Sequence, residues 1–224
     1  MLIANMSPRT TGKTTDTGWL SHALLEDEEN YDVVGYDADH SKQFWRWSQP
    51  EKGNFPFPVH LQASAKFHQE VVPPTGKGIA MVDCGHTENH IFIADSILRV
   101  ADLVILHMSP TAADWERIVE PETAKPFKDI LASSAPLRAT GRKPETWVLL
   151  NRTVSNAGST GYYRDEMTKE GYEVFTTVIP RAERFGDCMG APVEGATKTA
   201  FGALVTEMKR RGLLPVSAAQ EATR

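Results

Sequence analysis

Directly after the apolar run 2–6 stands Ser7-Pro8-Arg9-Thr10-Thr11-Gly12-Lys13-Thr14-Thr15. A glycine followed by a lysine and two threonines suits phosphate chemistry. A tight turn aims backbone N–H groups inward, the lysine meets phosphate oxygens, and the threonine hydroxyl reaches magnesium, all at a helix N-terminus. The run 2–6 supplies the preceding strand, and the chain from Thr15 onward can open the helix. Ser7 stands where the GxxxxGK[ST] pattern has its first glycine, but the terminal GKTT and its strand-to-helix setting are intact.

Carboxylates follow at the ends of two further apolar runs. Asp37 and Asp39 close the run 31–36, where they can reach phosphates and an attacking water; Asp83 closes 79–82, the place for a magnesium-shell carboxylate. Taken singly, Asp37 and Asp39 read as solvated turn residues and Asp83 as a helix cap. Their order after a GKT turn gives the set its weight and makes a chance GKT the weaker reading. Cys84, His86 and His90 are unevenly spaced, so surface or internally satisfied side chains are favoured over a metal site.

Positioning these groups requires a sheet. Apolar runs at 2–6, 31–36, 79–82, 103–108, 147–150 and 174–179 predict six strands, separated by helices expected over 13–25, 90–100, 112–131, 160–169 and 198–211. In the last helix Phe201, Leu204, Val205 and Met208 recur at helical spacing. Lys209, Arg210 and Arg211 suit its C-terminal dipole, and Gly212 reads as a stop. The stretches 49–58 and 135–144 read as irregular surface loops. With 224 residues, 41% hydrophobic and 24% charged, the chain suits one ordinary globular domain over 1–215, with a loose tail over 216–224. The net charge of -5 argues against a wholly basic, nucleic-acid-coating surface and leaves a local patch open. Two distant cysteines suggest neither a disulfide framework nor a zinc site, and neither a signal peptide nor a membrane span is expected.

The ordered motifs resemble the ParA/MinD family of deviant Walker ATPases, most of all the ParA partition proteins. The family loop KGGxGKT[ST] is matched by residues 8–15, its DxDxQ motif by Asp37-Ala38-Asp39-His40-Ser41, and its Walker B strand by Met81-Val82-Asp83. Leu149-Leu150-Asn151-Arg152 resembles the strand-end asparagine that faces the base. Residues 177–181, followed by Gly190-Ala191-Pro192-Val193, resemble the stretch before the C-terminal helix. The resemblance implies an α/β P-loop NTPase fold of the SIMIBI type, a mostly parallel twisted sheet flanked by helices. ATP and Mg2+ are the implied cofactors. Arg9, Thr10, Thr11, Gly12, Lys13, Thr14, Thr15, Asn151, Arg152 and Pro180 would hold nucleotide; Thr14, Asp37 and Asp83 would surround the metal. Lys13, Asp39 and Arg9 would serve catalysis, Arg9 standing one position after Pro8, which occupies the place of the family's cross-dimer lysine. His86 falls where a switch-like segment follows the Walker B strand, near the γ-phosphate. Ser41 replaces the glutamine of DxDxQ, so slow hydrolysis is expected.

Three functions fit such a scaffold. The first is a partition ATPase, cytoplasmic and nucleoid-associated. Implied are an ATP-state homodimer, nonspecific DNA binding, and a ParB-like centromere-binding partner that stimulates hydrolysis to segregate plasmid, phage or chromosomal DNA. Arg181, Arg184, Lys198, Lys209, Arg210 and Arg211 are the cations that would meet DNA phosphates. The second is a MinD-like membrane regulator, which needs a basic amphipathic C-terminal helix; the chain instead ends in 212–224 with a proline and no basic face. The third is an ATP-dependent ligase or kinase, dethiobiotin-synthetase-like, with Phe44, Trp45, Trp47, Phe55 and Phe57 lining a substrate pocket or, more simply, belonging to the core or a dimer contact.

Overall fold

Runs that are apolar on both faces belong inside a parallel sheet, and the computed structural model, which describes residues 1–49 and 55–215, places them there. Among these residues the strands are β1 (Leu2–Met6), β2 (Asp32–Ala38), β3 (Val59–Leu61), β4 (Gly78–Cys84), β5 (Leu103–Met108), β6 (Glu145–Leu150) and β7 (Glu173–Val174). They form one parallel sheet in the order β3-β2-β4-β1-β5-β6-β7. Helices α1 (Lys13–Leu25), α2 (Gln43–Trp47), α3 (Phe67–Glu70), α4 (Ile91–Leu98), α5 (Ala112–Val119), α6 (Phe127–Ser134), α7 (Ser159–Lys169), α8 (Glu183–Gly186) and α9 (Ala200–Arg210) connect and cover them.

Alternation along the strands makes two cores. Ile3, Ile79, Met81, Leu103, Ile105, Trp147 and Leu149 face one layer, with Leu20 and Leu24 of α1 and Phe201, Leu204 and Met208 of α9. Leu2, Ala4, Met6, Val82, Val104, Leu106 and Val148 face the other, with Ile97 of α4, Ile118 of α5, Leu131 of α6 and Met167 of α7. The aromatic stretch joins the first layer: Phe44, Trp47 and Phe57 are buried there, and Trp45 and Phe55, partly buried, pack against it. Gly18 of α1 permits this, since a Cβ at that position would fall 1.9 Å from Trp47 Cζ3.

Several expected bounds are corrected. A seventh strand, β3, adds to β2 and was hidden at the end of the proline-bearing stretch; residues 50–54 of that stretch and the tail 216–224 lie outside the described residues. The single helix expected over 112–131 is two. α5 ends at Val119 and α6 starts at Phe127, because Pro121 and Pro126 each lack an N–H and constrain the residue before them. The strand expected over 174–179 ends at Val174. The N–H groups of Thr176 and Thr177 then donate to Glu207 Oε1 and Oε2, at 2.8 and 2.7 Å, in place of a neighbouring strand. Among the described residues no helix is long and apolar enough to cross a membrane.

Candidate functional site

Strand register assembles the site. Asp83 of β4 pairs with Asn5 of β1 on one side and Asp37 of β2 on the other, setting three polar residues in one row. Successive strands depart from β1 in opposite directions across the sheet, so a crevice opens at its carboxyl end. The loop 7–12 lies there and leads into α1 through Gly12, whose φ of 92° is left-handed and whose Cβ, if present, would sit 3.0 Å from Asn151 Nδ2. Ser7 is the hub of the loop. Its hydroxyl donates to the Arg9 carbonyl and accepts from Thr11 Oγ1 at 3.2 Å and from Lys13 Nζ at 3.0 Å. The substitution that weakens the sequence pattern thus adds side-chain cross-links to the turn.

Beneath the loop, Thr14 Oγ1 donates to Asp83 Oδ2 at 2.7 Å. Burial pushes the Asp83 carboxyl up to about 7, against the opposing pull of Lys13 and the Thr14 hydroxyl. Its Oδ1 is buried and has no hydrogen-bond partner among the described residues. An orphaned carboxylate oxygen beside a threonine hydroxyl fits a divalent cation, which would favour the ionised carboxylate. Lys13 is 5% exposed; desolvation lowers its pKa, while the carboxylates of Asp83, Asp39 and Asp16 work the other way. It is a buried cation whose contacts, Ser7 Oγ and the Arg9 carbonyl at 3.3 Å, are neutral oxygens.

Asp37, expected beside the metal, is buried near the end of β2. Its Oδ1 accepts from the Asp39 N–H at 3.0 Å and its Oδ2 from the Trp45 N–H at 2.9 Å, so both oxygens hold the turn into α2. Of the three residues expected around a metal, Thr14 and Asp83 touch each other, while Asp37 bonds the backbone of the next turn. Asp39 is half-buried, accepts from the Ser41 N–H at 2.9 Å, and faces the segment after β4, where a Cβ on Gly85 would lie 3.5 Å from its Cγ. In that segment His86 Nε2 lies 3.0 Å from Thr10 Oγ1. Arg9 is exposed, and its Nε donates to Glu88 Oε2 at 2.7 Å.

A second buried chain supports the loop from the other side. His107 Nε2 donates to Asn5 Oδ1 at 2.9 Å, and its Nδ1 lies 2.9 Å from Asp16 Oδ2. Asp16 Oδ2 also accepts from Asn151 Nδ2 at 2.6 Å, and the same amide donates to the Thr11 carbonyl at 2.7 Å. Burial raises the Asp16 pKa while the His107 hydrogen bond works against it. Sequence reasoning missed Asn5, Asp16 and His107. The available signal was His107 inside the otherwise apolar LVILHM strand, since a buried imidazole requires a partner. Asn151, expected to face a base, spends its amide on this brace; its Oδ1 accepts from the Arg152 N–H at 2.7 Å. Gly12, Thr15, Asn151, Arg152 and Pro180 nevertheless line one cleft of about 150 Å³, together with Arg181.

No family model matches the sequence, and no curated protein matches it significantly. Solved structures do resemble it. A plasmid partition protein from Borrelia burgdorferi aligns with a TM-score of 0.55 at 11% identity, covering 92% of this chain and 98% of its own. The cell division ATPase MinD of Pyrococcus furiosus gives 0.59 at 17%, covering 93% and 98%. A cobyrinic acid a,c-diamide synthase from Mycobacterium smegmatis gives 0.60 at 13%, covering 97% and 98%. The chain has the fold of the ParA/MinD-type ATPases. Partition, cell division and synthase proteins share that fold, so the side chains must distinguish among them.

Within the ParA/MinD-type fold the six expected DNA-facing cations do not form one patch. Arg181 and Arg184 are exposed at the carboxyl edge, Arg181 on the cleft and Arg184 4.9 Å over the Phe185 ring. Lys209, near the end of α9, donates to Asp27 at 2.9 Å and Glu28 at 3.2 Å, beyond the far end of α1. Arg211 pairs with Glu207 at 2.8 Å and lies 4.4 Å over Trp147. Lys198 and Arg210 are exposed. Arg181 thus lines the cleft at the carboxyl edge, whereas Lys209 lies against the segment that follows the C-terminal end of α1.

Proposed function

We infer that this chain is a ParA-like partition ATPase, a single P-loop domain over 1–215 that binds ATP with Mg2+, dimerises, binds DNA nonspecifically and hydrolyses ATP when a ParB-like partner stimulates it. The observation that carries the reading is the 2.7 Å contact from Thr14 Oγ1 to Asp83 Oδ2 below the Gly12-Lys13 turn. That contact joins the helix N-terminus to the end of an apolar strand and faces a buried cation, the arrangement phosphoryl transfer requires. Lys13 exchanges Ser7 and the Arg9 carbonyl for phosphate oxygens. Thr14 and Asp83 would hold Mg2+, which would supply charge neutralisation at the phosphates. Asp39 orients the attacking water, and Arg9 releases Glu88 to reach the partner copy's nucleotide, its fork suiting phosphate oxygens. Asn151, Arg152 and Pro180 form the base-side wall. DNA contact falls first to Arg181, Arg184, Lys198 and Arg210, because Lys209 and Arg211 hold acidic partners.

The test is DNA binding by the full chain with ATP, ADP or no nucleotide, read by fluorescence anisotropy across a salt series. Affinity should appear only with ATP and Mg2+, ignore sequence and fall steeply with salt. Asp39→Ala should retain ATP and prolong the DNA-bound state. Equal DNA binding with ADP and ATP, or none in either at low salt, would count against partition.

A further inference from the structure

A cavity of about 490 Å³ borders the loop at Pro8 and shares no lining residue with the base-side cleft. Its volume is that of a small-molecule site. Ile91 and Phe92 of α4 and Phe127 and Ile130 of α6 form its apolar walls, and Pro8 and Glu88 close the end beside the loop. Phe92 is 79% exposed. An aromatic ring left in water at the mouth of an apolar cavity marks a surface that gains by being covered.

The rim charges decide what covers it. Asp95 is paired with Arg99 at 2.6 Å, and Glu88 with Arg9 at 2.7 Å, so both acidic residues lining the cavity are neutralised by neighbours. Arg117 has only a loose pair, 4.0 Å from Asp114, and Lys125 is exposed with no ion-pair partner among the described residues. Two cations remain available over an apolar interior.

We propose that this cavity binds an amphipathic monoanion, an apolar body between α4 and α6 with its carboxylate or sulfonate on Arg117 and Lys125. The apolar walls supply affinity through area removed from water, and the two cations supply the preference for negative charge. The cavity borders the loop, because Pro8 lines it and Glu88 connects it to Arg9. The site does not depend on the nucleotide reading, since none of its groups contacts Lys13 or Thr14.

Calorimetric titration of the full chain with decanoate, and with decyltrimethylammonium as the cationic counterpart, tests this without nucleotide. Decanoate should bind saturably at one site per chain and the cation should not. Phe92→Glu and the double change Arg117→Glu with Lys125→Glu should each weaken decanoate by about tenfold or more, a difference of about 1.4 kcal/mol. Lys13→Ala should leave it unchanged. Phe92, Arg117 and Lys125 are surface positions, and circular dichroism checks that every variant folds. Equal binding of both detergent-like ions, binding unaffected by the variants, or no saturable binding would overturn the proposal. So would a Phe92→Glu protein that changes only its oligomeric state, which would assign the face to a second copy.

Discussion

At the carboxyl edge of the sheet Lys13, Asp16, Asp83 and His107 are each 5% exposed or less and are connected through the loop they support. Around the end of α9 the same kinds of charged side chain hold the fold together instead. Lys209 ties α9 to the segment after α1, and Arg211 and Glu207 replace the missing end of β7. Both regions pair charges locally, yet their consequences differ. At the first edge, buried charges shift one another's ionisation and leave Asp83 Oδ1 unspent. At the second, Glu207 is equally buried but spends both oxygens on the Thr176 and Thr177 N–H groups and on Arg211, and what results is a clamp. Unspent polarity, more than the presence of charge, separates a site from a brace.

The comparison breaks most sharply at Asp16. Asp16→Ala strands His107 and Asn151 in a dry interior and should cost about 3–5 kcal/mol in urea unfolding; a loss below about 1 kcal/mol would show that the brace is not shared. A smaller effect is expected from Glu207→Gln, about 1.5–3 kcal/mol at neutral pH, because hydrogen bonds to a charged acceptor are lost. Burial alone would raise this carboxyl, but the Thr176 and Thr177 N–H groups and Arg211 outweigh it and hold its pKa at about 2. A depressed carboxylate contributes stability that is complete above its unfolded value of 4.5 and is lost as pH falls through 2. The wild-type advantage over Glu207→Gln should therefore shrink across that window, and a difference constant from pH 5 to pH 2 would contradict the clamp. Lys209→Ala should cost least, about 0.5–1 kcal/mol, since its ion pairs are partly solvated; thermal unfolding with and without added salt measures it.

Much of this was legible in the residues. The runs around Leu2–Met6 and Leu103–Met108 announce central strands because both faces are apolar, and the Gly12-Lys13-Thr14 turn follows directly from its setting. β3 was not legible, since three residues with only Val59 buried give no period to read. The run 174–179 looked like a strand because Phe175 and Ile179 are buried, but burial of alternate side chains does not reveal that Glu207, distant in sequence, takes the backbone donors. The split of helix 112–131 was written in Pro121 and Pro126. At the site, Thr14 and Asp83 are predictable from order alone. Ser7 as hub and the chain from Asn5 through His107 to Asn151 need register between strands that no local pattern contains.

The central claim, that the loop is a nucleotide-phosphate site built on Lys13, is tested most directly by calorimetric titration of ATP with Mg2+ into the wild type and Lys13→Ala. The account predicts saturable binding at one site per chain in the wild type and none in a folded Lys13→Ala protein; a wild type that takes up no ATP, or a variant with unchanged affinity, would contradict it.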